Sequence, residues 1–247
     1  MSRLFSTGSI LGAGGSSKMA SNFRKVTHCI FDMDGLLLDT EKIYERILGD
    51  LIKSYNSTYP WATRMKVLGT TEQRTVSIIV NDLKLSCTVD EFLKKFRQKQ
   101  LVELGGAPLM RGAEKLIRHL HENNIPIAVA TSSGADSVEV KTKNHQDIFN
   151  LFHHKVMGSS DAEVKEGKPA PDIFLVAASR FPDKPNPDQC LVFEDAPNGV
   201  TAGVAAGMQV VMVPDPHIEE DRRKQATVVL ESLEHFKPEM FGLPAFK

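Results

Sequence analysis

The 247-residue sequence has few of the features that mark membrane, secreted or nucleic-acid-binding proteins. No apolar run approaches the roughly 20 residues that cross a bilayer, so a membrane-spanning helix is not expected. The three cysteines are odd in number and far apart, which indicates a reducing compartment rather than a disulfide framework. Lysine and arginine total 30 against 31 acidic residues, a balance that favours neither a nucleic acid polymer nor an anionic membrane as partner.

Acidic residues are absent before Asp32. Residues 1–24 are instead rich in serine and glycine and carry several basic side chains. This composition is typical of a disordered tail and also resembles that of a mitochondrial transit peptide. We expect a disordered tail on a cytoplasmic protein, because glycine-rich stretches form poor amphipathic helices, and mitochondrial targeting is the alternative.

From residue 25 onward, short apolar runs alternate with segments of helical periodicity. Strands that alternate with helices predict a parallel sheet with helices on both faces, a doubly wound, Rossmann-like α/β core. The five predicted strands are VTHCIF before Asp32 and the apolar runs within residues 125–133, 154–160, 190–196 and 209–215.

One interval breaks the alternation, because residues 40–108 contain no convincing strand. Three of its segments, EKIYERILGDLIKSY, TEQRTVSIIVNDL and VDEFLKKFRQKQLVEL, have helical spacing instead. This pattern predicts an all-helical insertion between two parts of the core domain, residues 25–39 and 109–247. We expect the single tryptophan, Trp61, in the apolar interior of the insertion.

Two aspartates follow the first predicted strand. Asp32 and Asp34 are two positions apart, so in an extended segment their side chains point the same way. Ligands of a parallel sheet bind beyond the carboxyl ends of its strands, which is where both carboxylates would lie. Because two neighbouring carboxylates repel each other, this spacing indicates a compensating cation or proton.

Other strand ends and loops carry groups suited to a phosphate. The hydroxyls of residues 131–133 precede a helix, whose free N–H groups favour an anion. The loop EGKPAPD supplies Lys168, and the run LVFEDAPNG ends with Glu194 and Asp195. Each motif alone is commonly a turn, a helix cap or a solvated loop. Together, each after an apolar strand, they suit Mg²⁺ bound with a phosphate.

The motifs FDMDGLLLDT, VATSS, GKPAPD and VFEDAPNGV resemble, in this order, those of the haloacid dehalogenase-like hydrolases, and the helical insertion resembles the small cap domain of that family. The resemblance implies a Mg²⁺-dependent phosphatase acting on a small phosphate monoester. Pseudouridine 5'-phosphate is the substrate that it suggests first, with sugar phosphates and glycerol phosphate as alternatives. A β-phosphoglucomutase-like mutase stays open, whereas a non-enzymatic scaffold is disfavoured because the chain keeps the nucleophile and the metal-binding acids. We expect a monomer.

The resemblance also implies catalytic roles. Asp32 would be the nucleophile that forms an aspartyl-phosphate, and Asp34 would be the general acid and then the general base. Asp32 must then stay ionised while Asp34 holds a proton.

The same resemblance implies the binding residues. The expected Mg²⁺ ligands are Asp32, the backbone oxygen of Asp34, and Asp195, with Glu194 close enough to assist. The expected phosphate-binding residues are Thr131, Ser132 and Lys168.

Substrate choice is expected to depend on the cap, which closes over the site in this family. The candidate residues are Tyr44, Thr71, Gln73 and Arg74, together with Glu41 and Glu72. Their alternative interpretation is ordinary helix and loop surface. Mutase-like members carry an arginine where this chain has Glu72, and an acid there would repel a second phosphate. Arg74 could substitute for that arginine, so the mutase alternative stays open.

Overall fold

The structure is a computed structural model, and it describes residues 23–67, 70 and 72–247. The tail predicted for residues 1–24 lies outside the described residues, apart from its last two positions. None of the described helices combines the length and the apolar character that a membrane-spanning segment needs.

The centre of the described structure is a six-stranded parallel sheet with the order β3-β2-β1-β4-β5-β6. The chain builds outward from β1 in one direction with β2 and β3, and in the other with β4, β5 and β6. The crevice between β1 and β4 is therefore the place where such a sheet binds ligands. The strands are His28–Phe31 (β1), Ile127–Thr131 (β2), His154–Met157 (β3), Cys190–Glu194 (β4), Gln209–Met212 (β5) and Val228–Val229 (β6).

Burial on both faces explains why the inner strands are continuous apolar runs. Cys29 and Phe31 of β1 point into one core, and Ile30 points into the other. Between neighbouring strands, the rings of Phe31 and Phe193 stack with centroids 4.4 Å apart. All five predicted strands are present, and the parallel α/β fold is confirmed. The sheet also contains Val228–Val229, which the sequence pattern did not predict.

Helices cover both faces of the sheet and form the segment between β1 and β2. Four of them, α1 to α4, follow β1, and within the described residues of this segment there is no strand element. The described α-helices are Glu41–Ser54 (α1), Trp61–Val67 (α2), Glu72–Asp82 (α3), Val89–Glu103 (α4), Ala113–Glu122 (α5), Ala135–Thr142 (α6), Gln146–Phe149 (α7), Asp172–Ser179 (α8) and Pro197–Ala205 (α9).

The helical segment is held together by one apolar face of each long helix. Ile47 and Leu51 are one turn apart on α1 and are buried, and α4 buries Phe92 and Phe96 with the same spacing. The expectation for Trp61 was wrong, because its side chain is 57 % exposed. Trp61 is the first residue of the short helix α2, which buries only one of its seven residues, so the ring is left on the surface.

Candidate active site

The carboxyl end of β1 brings the first two predicted aspartates to the crevice beside β4. The backbone N–H of Asp32 donates to Phe193 O at 3.0 Å, which extends the pairing of the strands by one residue. Gly35 turns the chain with a φ of +81°, and a Cβ built on it would lie 2.3 Å from Asp195 Oδ2. Only glycine fits there without a shift of Asp195. This close approach brings the ends of β1 and β4 together.

Lys168 joins three parts of the chain. Its Nζ donates to Asp32 Oδ1 at 2.5 Å, to Glu194 Oε1 at 2.7 Å and to Ala130 O at 3.0 Å. Burial alone would lower the pKa of Lys168, but the carboxylates of Asp32 and Glu194 raise it above the ordinary value. The side chain is therefore an ammonium group shared by two carboxylates.

Glu194 is a buried carboxylate at the beginning of helix α9. Its Oε2 accepts hydrogen bonds from the backbone N–H groups of Asp195 and Ala196, at 3.1 and 3.2 Å. A Cβ added to Gly199 would lie 1.8 Å from Glu194 Oε1, so the helix offers space for this carboxylate only because glycine stands there. The helix N-terminus favours negative charge at this position, which helps to offset the burial of Glu194.

Asp34 is surrounded by hydrogen-bond donors. Thr40 Oγ1 donates to Asp34 Oδ1 at 2.9 Å, and Ser133 Oγ donates to Oδ2 at 2.9 Å. Lys141 Nζ lies 2.7 Å from Oδ1 and 2.9 Å from Oδ2. Thr131 Oγ1 is 3.5 Å from Oδ2, at the limit of a hydrogen bond. The carboxylate of Asp34 therefore has partners on both of its oxygens.

The predicted residues Thr131 and Ser132 differ in their surroundings. Thr131 is buried and accepts a hydrogen bond from the backbone N–H of Ser133 at 3.1 Å, whereas Ser132 is exposed and its carbonyl accepts from Ser159 Oγ at 2.7 Å. Within the predicted group of residues 131–133, the hydroxyl with the shorter contact to Asp34 is that of Ser133, at 2.9 Å against 3.5 Å for Thr131.

Sequence reasoning missed Lys141 and Thr40 as partners of Asp34. A signal for Lys141 was present, because Val138 lies one turn earlier on α6 and both residues belong to the buried face of that helix. A lysine on the apolar face of a helix requires a buried partner. Thr40 precedes α1 as its N-cap residue, but its side chain makes no capping hydrogen bond and donates to Asp34 instead.

The surrounding protein groups shift the pKa values of Asp32 and Asp34 in directions opposite to the protonation states expected of the two residues. Burial and the neighbouring carboxylates of Glu194 and Asp34, only partly offset by Lys168, raise the pKa of Asp32 to about 7. For Asp34 burial alone would raise the pKa, but Lys141 and the hydroxyls around it lower it below the ordinary value. The expectation of an ionised Asp32 beside a protonated Asp34 therefore does not follow from the protein groups alone.

A divalent cation fits the charges and the donor atoms of this site. The carboxylates of Asp32, Asp34, Glu194 and Asp195 lie together. Lys168 forms ion pairs with Asp32 and Glu194, and Lys141 forms one with Asp34. Burial and the carboxylates of Glu194 and Asp32 raise the pKa of Asp195 well above its ordinary value. A cation would remove this excess of negative charge. Carboxylate and carbonyl oxygens are also the ligands that Mg²⁺ prefers.

Among the described residues, no group of three His, Cys, Asp or Glu side chains is arranged to hold a metal ion. The expected ligand set does not require such a group, because it consists of two carboxylates, Asp32 and Asp195, and the backbone oxygen of Asp34. Mg²⁺ characteristically keeps several water ligands and binds few protein oxygens. An incomplete set of protein ligands is therefore compatible with Mg²⁺.

Two of the candidate cap residues lie beside the carboxylates. The ring of Tyr44 on α1 covers Lys141, whose Nζ is 5.4 Å from the ring centroid. Glu41 begins the same helix, and its side chain is exposed. Desolvation by the surrounding protein and the carboxylates of Asp34 and Asp215 nevertheless raise its pKa to about 7. Both side chains are therefore near the predicted catalytic groups.

Three of the other candidates, Glu72, Gln73 and Arg74, lie at the beginning of α3. Gln73 and Arg74 are exposed, and Thr71 lies outside the described residues. Glu72 is bound by the guanidinium of Arg97, with Nε and Nη2 at 3.2 and 3.1 Å from Oε2. Because Arg97 offsets the charge of Glu72, the expected repulsion of a second phosphate by this acid is weaker than the sequence alone indicated.

The comparison with known families decides the assignment. A profile of the haloacid dehalogenase-like hydrolases matches residues 26–207. The chain belongs to this family. This haloacid dehalogenase-like hydrolase is therefore an enzyme of the phosphatase type that its motifs predicted.

Individual relatives agree with the family assignment. The hydrolase is 54 % identical, over 223 residues, to a probable pseudouridine-5'-phosphatase of Drosophila melanogaster, covering 90 % of this chain and 96 % of the relative. It is 45 % identical, over 226 residues, to (DL)-glycerol-3-phosphatase 2 of Arabidopsis thaliana, with 90 % and 93 % covered. The crystal structure of a putative β-phosphoglucomutase from Thermotoga maritima has the same fold, with a TM-score of 0.70, 24 % identity, and 87 % of this chain and 97 % of that chain covered.

Proposed function

We propose that this hydrolase is a Mg²⁺-dependent phosphatase that cleaves a small phosphate monoester through an aspartyl-phosphate intermediate. The observation that carries the proposal is the convergence of two lysine–aspartate pairs at the end of β1. Lys168 pairs with Asp32, and Lys141 pairs with Asp34. A carboxylate beside a phosphate-neutralising cation suits a nucleophile, and a second one held by hydrogen bonds suits proton transfer.

The first step transfers the phosphoryl group to the protein. A carboxylate oxygen of Asp32 attacks phosphorus while the bond from phosphorus to the ester oxygen breaks. Asp34 takes up a proton when the negatively charged phosphate binds beside it, and it donates this proton to the departing oxygen. We assign the binding of the phosphoryl oxygens to Lys168, Thr131 and Ser132. These groups would offset the negative charge that develops on the phosphoryl group during the transfer.

The second step releases phosphate. Asp34, now a carboxylate, accepts a proton from a water molecule that attacks the phosphorus of phosphorylated Asp32. The bond between phosphorus and the aspartyl oxygen breaks, which restores the carboxylate of Asp32. Asp34 thus ends the cycle with the proton from water. The lowered pKa of Asp34 before substrate binding means that its carboxylate is ionised and has a free pair of electrons with which to accept a proton.

Mg²⁺ would be held by Asp32, the backbone oxygen of Asp34 and Asp195, with Glu194 beside them. When bound, the ion supplies positive charge that keeps Asp32 ionised and offsets the charge of the phosphoryl group. The excess of carboxylates over ammonium groups in the site supports this ligand set.

Pseudouridine 5'-phosphate is the substrate that we propose first. The 54 % identity to the Drosophila protein named for this activity supports it. Glycerol phosphate is the second candidate, supported by the 45 % identity to the Arabidopsis glycerol-3-phosphatase. A mutase is a weaker candidate, because the likeness to the mutase structure rests on 24 % identity and therefore concerns the fold alone.

We also propose that residues 40–108 form a cap over a core made of residues 25–39 and 109–247. The position of Tyr44 over Lys141 supports a role of this segment at the site. The substrate contacts that we assign to the cap are those of Tyr44, Thr71, Gln73 and Arg74.

The proposal is tested by measuring phosphate release from pseudouridine 5'-phosphate, uridine 5'-phosphate, 2-deoxyglucose 6-phosphate and glycerol phosphate, with Mg²⁺ and with EDTA. We expect the highest kcat/KM for pseudouridine 5'-phosphate, and loss of turnover with EDTA and in an Asp32→Asn variant. Metal-dependent turnover of other monoesters alone would refute the substrate but keep the phosphatase chemistry. No release from any monoester would refute the proposed function.

A further inference from the structure

Lys141 is a buried ammonium group to which the mechanism above gives no task. Its side chain is 0 % exposed, and its described hydrogen bonds go to Asp34 and to Ser133 Oγ, the latter at 2.8 Å. A buried ammonium is unfavourable unless a carboxylate and further hydrogen bonds compensate for the lost hydration. An apolar side chain would pack in this place equally well, so the ammonium indicates a demand that comes from Asp34 and not from packing.

The contacts of Lys141 fix the orientation of the Asp34 carboxyl group. The ammonium reaches both oxygens, with 2.7 Å to Oδ1 and 2.9 Å to Oδ2. Thr40 donates to Oδ1, and Ser133 donates to Oδ2. Rotation of the carboxyl group about its Cβ–Cγ bond would break hydrogen bonds on both sides. Lys141 also binds Ser133, so the lysine orients one of the other donors as well.

The ring of Tyr44 covers the ammonium from the side of the helical insertion, with Nζ 5.4 Å from its centroid. Tyr44 in turn contacts Phe96 of α4, with ring centroids 6.0 Å apart. The lysine is therefore enclosed between α6, the end of β1 and the first insertion helix. This enclosure excludes water, which strengthens the hydrogen bonds between Lys141 and Asp34.

We propose that Lys141 is a positioning residue, which holds the carboxyl group of Asp34 in the orientation needed to pass a proton to the ester oxygen. The inference rests on the proposed function, in which Asp34 is the general acid. Lys141 does not contact the phosphoryl group in this assignment. Its effect is therefore on proton transfer to the leaving group and not on the attack by Asp32.

Leaving groups of different basicity test this proposal. An alkoxide such as that of glycerol phosphate needs a proton in order to leave, whereas p-nitrophenolate leaves without one. The values of kcat/KM for glycerol phosphate and p-nitrophenyl phosphate are compared, because this parameter covers the steps up to the first departure of the leaving group. In Lys141→Met we expect a fall of about 100-fold for glycerol phosphate and of less than about 10-fold for p-nitrophenyl phosphate.

The matched control is Lys155→Met, the same substitution at a half-buried lysine of β3. It should leave the ratio of the two kcat/KM values unchanged. An equal loss on both substrates in Lys141→Met, or no loss on either, would overturn the positioning role while the phosphatase function stands. A wild-type protein that hydrolyses neither substrate would instead refute the proposed function.

Thermal unfolding and circular dichroism show whether Lys141→Met folds. If it does not fold, a second variant is used. Lys141→Gln keeps a hydrogen-bond donor and loses the charge. We expect a smaller loss with the same preference, so that glycerol phosphate turnover falls more than p-nitrophenyl phosphate turnover. If Lys141→Gln is folded and its ratio equals that of the wild type, the proposal is wrong.

Discussion

Nζ of Lys168 lies 2.5 Å from Oδ1 of Asp32, although the two residues are 136 positions apart in the chain. The same ammonium contacts Glu194 at 2.7 Å, so one lysine connects the first, third and fourth motifs. Without it, two buried carboxylates would face each other, and their repulsion would oppose folding. Lys168 is thus important for stability as well as for the phosphate-binding role that we propose.

Replacing Lys168 with methionine should affect both properties. We expect the free energy of unfolding, measured without metal, to fall by about 3 to 5 kcal/mol, because one partner of a buried ion pair is removed. Turnover with Mg²⁺ should fall by about 100-fold or more, because the phosphoryl group loses a cation. Denaturant unfolding and steady-state kinetics provide the two measurements.

The same substitution at Lys165 is the control, because this lysine lies in the same loop and is exposed, and the hydrogen bond described for its ammonium goes to the carbonyl of Ala162 rather than to a carboxylate. Lys165→Met should change the free energy of unfolding by less than about 0.5 kcal/mol. If Lys168→Met were as stable and as active as Lys165→Met, the shared ammonium would be unimportant.

A second prediction concerns Gly199, the glycine of α9 that lies against the carboxylate of Glu194. Gly199→Ala would place a Cβ 1.8 Å from Glu194 Oε1, and the carboxylate is held by Lys168 and by the beginning of α9. We expect a loss of about 1 to 3 kcal/mol in the free energy of unfolding, as for other overpacked sites. The change should also reduce turnover, since Lys168 shifts with its partner.

Gly49→Ala makes the same chemical change where nothing lies within 4 Å of the new Cβ. Gly49 is inside helix α1, so alanine should raise the stability of the protein by about 0.5 to 1 kcal/mol. If contact with Glu194 is decisive, thermal unfolding should show a lower Tm for Gly199→Ala and a higher Tm for Gly49→Ala than for the wild type. A stabilising Gly199→Ala would show that this carboxylate can move freely.

The fold could be predicted from the sequence where single segments carry their own signal. Each inner strand is an apolar run before a polar turn, and residues 41–54 repeat apolar side chains at helical spacing. The strand Val228–Val229 has only two residues and therefore no period to detect. Helix α2 has seven residues, too few for a reliable apolar stripe, which is why the exposure of Trp61 was not foreseen.

The candidate site was predictable only in part for the same reason. Asp32, Asp34 and Lys168 stand in motifs that are short and contiguous in sequence. The pairing of Lys141 with Asp34 joins residues 107 positions apart, and no local pattern records which side chain a buried lysine meets. Charge compensation within the site is likewise a property of the folded chain, because it depends on distances between several strand ends.

A third prediction concerns the pH dependence of stability at the ion pair of Asp161 with Arg180. Nη1 of Arg180 lies 2.6 Å from Asp161 Oδ2, and Nη2 lies 2.9 Å from Oδ1. These hydrogen bonds lower the pKa of Asp161 in the folded protein. The stabilisation is therefore complete above the unfolded pKa of about 3.9, and it is lost as the pH falls through the lower folded pKa.

Asp161→Asn should reduce the free energy of unfolding by about 1 kcal/mol at pH 7, because the side chain is only 14 % exposed and the contact is bidentate. The difference from the wild type should shrink as the pH falls below about 4, where the aspartate of the unfolded chain becomes neutral, and it should disappear below the lower pKa of the folded protein. Urea unfolding of both proteins at several pH values measures this difference in the free energy of unfolding. A difference that is constant from pH 7 to pH 3 would contradict an electrostatic origin.

Metal binding should appear as a change in stability that depends on Asp195. At a Mg²⁺ concentration about 100 times its Kd, a bound ion stabilises the folded state by about 2.7 kcal/mol. The wild-type Tm should therefore rise on adding Mg²⁺ and return on adding EDTA. Asp195→Asn should have a higher Tm than the wild type without metal, because it removes a charge next to Glu194 and Asp32, and it should not respond to Mg²⁺.

The control is Asp188→Asn, the same substitution at an exposed aspartate before β4, and its Tm should respond to Mg²⁺ like that of the wild type. A full Mg²⁺ response in Asp195→Asn would exclude this carboxylate as a ligand.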